Sequence, residues 1–177
     1  MAIVKKLGRA LTFWHPYADN LHSVALLFAR VVVGRVFLMS GLQKWNGPFK
    51  FNPDTYDLFL YEFFCPDDIR KGALYLCDAK EADYTSDTMT FIIERFANVA
   101  GIFEVLCGIT LILGLMGRLS ALVLLGMTLF IQFFVFPDSA SWWGSHAWWT
   151  ACLLVIIAYG SGVLSLDKLF GLDKKKP

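Results

Sequence analysis

The chain has 177 residues, 56% of them hydrophobic and 16% aromatic, with a mean hydropathy of +0.54. That apolar weight excludes an ordinary soluble domain and points to a small membrane protein. A net charge of +1, with the basic residues at the termini and beside apolar stretches, gives no support to nucleic-acid binding.

Taken in chain order, Ile3, Leu7, Ala10, Leu11 and Trp14 share one helical face opposite Lys5, Lys6 and Arg9, the pattern of a short amphipathic helix lying in the membrane interface. A first span is expected over residues 21–44, since roughly 20 apolar residues cross the hydrocarbon core. It lacks a small-x-small cleavage site and is expected to stay as an anchor. Residues 45–94 form an acidic insert. Its aromatic part, 56–64, reads as a helix or re-entrant segment on the outer membrane face, with Asp54 or Thr55 as its cap, and the polar part near 78–88 reads as a loop. Cys65 and Cys77 lie in this insert and are expected to form a structural disulfide. Further spans follow over 95–116, 118–136 and 146–164, and the turn at Gly117 makes the second and third an antiparallel hairpin. Gly160-Ser161-Gly162 then ends the last span, and a short amphipathic tail begins at Ser165. The expected architecture is one all-α membrane domain over 1–177. It is a four-transmembrane-helix bundle with an extracytoplasmic insert between helices 1 and 2 and short amphipathic terminal helices.

Orientation follows from the distribution of lysine and arginine. Lys5, Lys6, Arg9, Arg118, Lys168, Lys174, Lys175 and Lys176 fall on one side of this topology. The insert carries four basic residues (Lys50, Arg70, Lys71 and Lys80) against ten acidic ones, and the loop over 137–145 has none. The positive-inside rule places both termini in the cytoplasm.

Charges near the middle of a span cost roughly 2.5–3.5 kcal/mol each on insertion scales, so Arg30, Arg35 and Glu104 need partners. Arg30, Gly34, Phe37, Gly41 and Lys44 share one stripe of the first helix, and Gly101, Glu104 and Gly108 share a stripe of the second. Small residues at this spacing permit close helix approach in lipid, so the two stripes are expected to meet and to bring Arg30 against Glu104. Such a pair reads equally as a structural clamp and as a site for an anion, a quinone headgroup or a proton. Arg35, about 140° around the helix from Arg30, needs a different partner, on the fourth helix or on another protein. Lys44, Gln132 and His146, under a layer with Trp45, Trp148 and Trp149, form an expected polar mouth to the bundle. An interfacial belt is the alternative reading, favoured for the tryptophans, including Trp142 and Trp143. Arg118 and Asp167 share the cytoplasmic face and are expected to pin the tail beneath the hairpin. Cys107 and Cys152 read as packing residues. His15, His22 and His146 show no metal-ligand spacing, and no metal is expected.

With these residues assembled, the chain resembles the DoxX family of small four-span membrane proteins. The resemblance rests on Arg30, Gly34, Phe37 and Ser40-Gly41-Leu42-Gln43-Lys44, then on Glu104 and Gly114-Leu115-Met116-Gly117-Arg118. It continues through residues 132–137, His146 with Trp149, Gly160-Ser161-Gly162 and Ser165-Leu166-Asp167. Two departures are a longer segment over 66–95 and Ser40, which stands where members commonly carry histidine. The resemblance implies a redox-linked membrane subunit related to the small subunits of thiosulfate:quinone oxidoreductase, with quinone as the implied cofactor. It also implies a protein partner in a membrane redox or metal-stress complex. The expected role is a non-autonomous oxidoreductase subunit of the bacterial inner membrane, binding a quinone-like or small anionic species through Arg30, Glu104, Lys44, His146 and Gln132. A non-catalytic scaffold docking a partner through the insert is the alternative, and a homo-oligomer is compatible with either.

Overall fold

The computed structural model describes residues 15–78 and 83–172, with side chains from Leu21 onward in the first helix. The amphipathic N-terminal segment and the terminal lysines lie outside the described residues. The chain forms α1 (His15–Gln43), α2 (Asp54–Asp57), α3 (Asp87–Leu113), α4 (Gly117–Phe130), α5 (Ser139–Ser141), α6 (Ala147–Tyr159) and α7 (Leu166–Leu169). Three π-helical turns interrupt this series: Leu58–Phe63 prolongs α2, Ile131–Val135 prolongs α4, and Trp142–His146 joins α5 to α6.

Three helical stretches are long and apolar enough to cross a membrane: Leu21–Gln43, Asp87–Leu113 and Gly117–Val135. The second begins eight residues before the expected 95, because Ser86, in extended conformation, and Asp87 in the first turn supply a helix start ahead of the apolar run. The insert is shortened accordingly. In the fourth apolar stretch, α6 stops at Tyr159, where Gly160 takes φ +84°, five residues before the expected 164.

Both ends of the α3–α4 turn are set by backbone conformation. Gly114 at φ +67° closes α3, with Leu115 N–H donating to Thr110 O at 2.8 Å, and Met116 at φ +50° opens α4. Although the hairpin joins α3 to α4, α3 packs most extensively on α1, and α4 packs on α6. Gly34 and Gly108 explain the first contact: a Cβ on Gly34 would stand 3.1 Å from Gly108 O, and one on Gly108 would stand 2.9 Å from Leu38 N. Backbone meets backbone along these stripes, and side chains larger than hydrogen would separate the helices.

Two apolar cores result. One fills the bundle with Val33, Phe37, Leu111, Leu124, Leu153 and Ile156, and the other packs Phe59, Leu60 and Phe64 from the insert against Ile93, Ala97 and Val135. The second core lashes the insert to the ends of α3 and α4. A Cys65–Cys77 disulfide, with 5.6 Å between the Cα atoms, closes the segment that follows the first π-turn.

Candidate functional site

Arg30 does not meet Glu104. The register of α1 on α3 sets Gly41 beside Glu104 and Gly34 beside Gly108, so Arg30 lies about 16 Å further along the axis, level with the end of α3. There it is fully buried and donates to the carbonyls of Ile112 and Leu164. Gly114 passes directly over the guanidinium, and any Cβ there would collide with it. Arg30 thus ties the unsatisfied carbonyls at the end of α3 to the chain leaving α6.

The partner of Glu104 is Lys44, one turn beyond Gly41. Lys44 Nζ donates to Glu104 Oε2 at 2.6 Å, to Ser40 Oγ at 3.1 Å and to Ser40 O at 3.3 Å. Both side chains are almost wholly buried, 10% and 6% exposed. Room for the lysine comes from Gly101, where a Cβ would stand 3.2 Å from Lys44 Cδ. The stripe of α1 was legible in the sequence, but which of its two cations faced the carboxylate was decided by register.

This triad forms the polar end of a cavity of about 380 Å³. One wall is Phe59, Phe63 and Phe64 of the insert; a second is Phe96 and Ala100 of α3; a third is Val123, Gly126, Met127 and Phe130 of α4 with Ile131 and Val135 of its π-turn. Apart from Ser40, Lys44 and Glu104 the lining is apolar, and the volume lies within the usual range for small-molecule sites. Two π-turns contribute to it, in keeping with their frequent placement at functional sites. Gly126 faces open space on the outer surface of the bundle, and Phe96 beside the cavity is 40% exposed, so the opening faces sideways between α3 and α4. The sequence reading missed these wall residues. Its available signals were the run of aromatics over 56–64 and a glycine at 126 with no turn to explain it.

Gln132 and His146 form a separate polar cluster and do not line the cavity. His146 Nδ1 lies 2.6 Å from Gln132 Oε1, and Gln132 donates through Nε2 to Asp138 O at 3.2 Å. The imidazole packs on Trp149 at 5.1 Å between ring centroids, and Trp149 packs on Phe37 at 5.6 Å. Asp138 caps α5 through Ser141 N–H and Ser141 O–H, both at 2.7 Å, and these bonds hold its carboxyl below the usual range. Lys44 therefore belongs with Glu104, and the expected single mouth of Lys44, Gln132 and His146 is two clusters.

Arg35 lies on the exposed surface of α1 and makes no hydrogen bond or ion pair among the described residues. Its expected partner on the fourth helix is not there. At the other end, Asp167 docks the tail beneath the hairpin by accepting from Met116 N at 2.6 Å, Gly117 N at 2.9 Å and Ser161 Oγ at 2.7 Å. Arg118 donates to Ile157 O at 3.2 Å. The tail is held through the backbone amides of Met116 and Gly117 together with the Ser161 hydroxyl.

The DoxX family model matches residues 81–137, the stretch that carries α3 with Glu104, the Gly114 turn, and α4 with Gln132. No curated protein and no solved structure matches the chain. With its long apolar helices the chain is a membrane protein, and over this segment, about a third of its length, it is similar to the DoxX family.

Proposed function

We propose that this protein is a membrane subunit of a redox complex and that the cavity beside Lys44 and Glu104 holds the ring of a quinone-like molecule. The observation that carries this reading is an aromatic cavity of about 380 Å³ with a single polar end, opening sideways where a lipid-soluble molecule would arrive. Lys44 and Glu104 neutralise each other, and Arg30 is turned to carbonyls at the other end of the bundle, so the site suits an uncharged ligand better than an anion. In this reading the helical run from α5 through α6 is the fourth span, both termini lie in the cytoplasm of a bacterial inner membrane, and the insert faces outward. The test is titration of the purified protein with decylubiquinone, read by tryptophan emission, alongside Gly126→Phe. A Cβ at residue 126 meets nothing within 4 Å, so the variant keeps the backbone and fills the cavity mouth. Saturable quenching lost in the variant supports the site; no saturable quenching in the wild type, or equal quenching in both, overturns it.

Arg35 favours a second reading, a non-catalytic scaffold or accessory factor in metal or oxidative-stress handling. A guanidinium exposed within a span calls for an acceptor from outside this chain, such as a carboxylate on a neighbouring transmembrane helix. Co-purification from native membranes separates this docking from docking through the insert. Loss of a partner in Arg35→Gln with an unchanged melting temperature assigns the contact to α1, and an unchanged partner set removes it.

A further inference from the structure

The hydrogen-bond polarity of the cavity is fixed by how the triad spends its protons. A lysine ammonium has three donors, and those of Lys44 go to Ser40 O, Ser40 Oγ and Glu104 Oε2. The Ser40 hydroxyl faces the Glu104 carboxylate as well. Every side-chain donor at this end is therefore turned inward, onto the triad itself. Acceptor capacity remains, because a carboxylate offers about four lone-pair sites and, among the described residues, Glu104 is faced by two donors, Lys44 and the Ser40 hydroxyl.

We infer that the cavity selects ligands that donate a hydrogen bond: a lipid-soluble phenol or hydroquinone in preference to a quinone, whose ring oxygens only accept. A quinone carbonyl placed at this end would lose its hydrogen bonds with water and find no donor in return, which is the costly case for a buried polar group. A phenolic hydroxyl placed there donates to the carboxylate in a charge-assisted bond, the stronger kind. The Phe walls accept the ring in either case, so shape does not discriminate and the polar end does. This inference rests on the cavity being a ligand site, and it specifies which member of a quinone and hydroquinone couple is held more tightly.

The test compares two redox-inert probes of nearly equal size, 4-decylphenol and 4-decylanisole, the second being the methyl ether of the first with no O–H to donate. Each is titrated into the full-length protein in detergent, with tryptophan emission as readout, using the wild type and Gly126→Phe. The expected result is at least tenfold tighter binding of the phenol to the wild type, with binding of both probes lost in Gly126→Phe. Equal affinities that are both lost in Gly126→Phe overturn the donor preference and leave the cavity assignment standing. Binding of neither probe overturns both, and a phenol preference that survives Gly126→Phe places the hydroxyl elsewhere and overturns the inference. The comparison is made on unaltered Glu104, so it does not depend on whether a variant of that residue folds.

Discussion

Removing either member of the Lys44–Glu104 pair strands the other in a site where both side chains are about a tenth exposed or less. In Glu104→Met the ammonium keeps only Ser40 O and Ser40 Oγ; in Lys44→Met the carboxylate has no cation. Breaking a buried pair in this way costs about 3–5 kcal/mol, whereas replacing both members by apolar groups of similar volume is often neutral. Each single variant is therefore expected to melt roughly 6–20 °C below the wild type for a chain of this size. The double variant Lys44→Met/Glu104→Met, whose new side chains meet Phe96, Ala100 and the other apolar walls of the cavity, is expected to recover most of that loss. The assay is thermal unfolding in one detergent, followed by tryptophan emission, for all four members of the cycle. A double variant that melts at or below the less stable single variant would refute the argument, since it would mean that the two groups contribute independently and are not compensating one another's burial.

Asp167→Ala leaves Met116 N, Gly117 N and the Ser161 hydroxyl without their acceptor. At about 1–3 kcal/mol for each stranded donor, the variant is expected to lose the tail's docking, measured as new protease cleavage after Ser161. Substituting Cys65 by Ala opens a link across a sequence separation of 12 residues and is expected to cost about 3 kcal/mol in the loop-entropy description. Alkylation of the unreduced wild type should label Cys107 and Cys152 alone. Tyr84, whose hydroxyl donates to Leu60 O at 2.6 Å, is pushed up to about 12, first by burial and then by Tyr61, Tyr75 and Asp83. A raised pKa in the folded state means that its contribution is fully present below the ordinary tyrosine value of about 10 and is lost as pH rises to about 12. Ultraviolet titration should show one phenol ionising near that upper value, and Tyr84→Phe should remove it.

Hydropathy made the membrane class and the long helices legible, and the small-residue spacing of α1 and α3 marked the faces that pack. The partner of Glu104 was not legible, for a geometric reason: Arg30 and Lys44 occupy the same stripe, and only the sliding position of two antiparallel helices chooses between them. Gly41 against Glu104 makes that choice. The acceptors of Arg30 and the donors to Asp167 were hidden for another reason, because every residue carries a carbonyl and nearly every one an amide, and no side-chain pattern marks which are left over. The cavity walls depend on where the insert folds back, a long-range packing of Phe59, Phe63 and Phe64 onto the ends of α3 and α4 that local periodicity does not encode.

The two acceptors of Arg30 are made at very different moments in the life of the polypeptide. Ile112 follows it by 82 positions and Leu164 by 134, so at ribosomal speeds of about 5–20 residues per second the second carbonyl is synthesised roughly 7–27 s after the arginine. Throughout that interval the nascent first helix holds a cation whose final enclosure does not yet exist, and a chain terminated before Leu164 never completes it. Premature truncation should therefore mark the product for membrane quality control through a residue near its beginning.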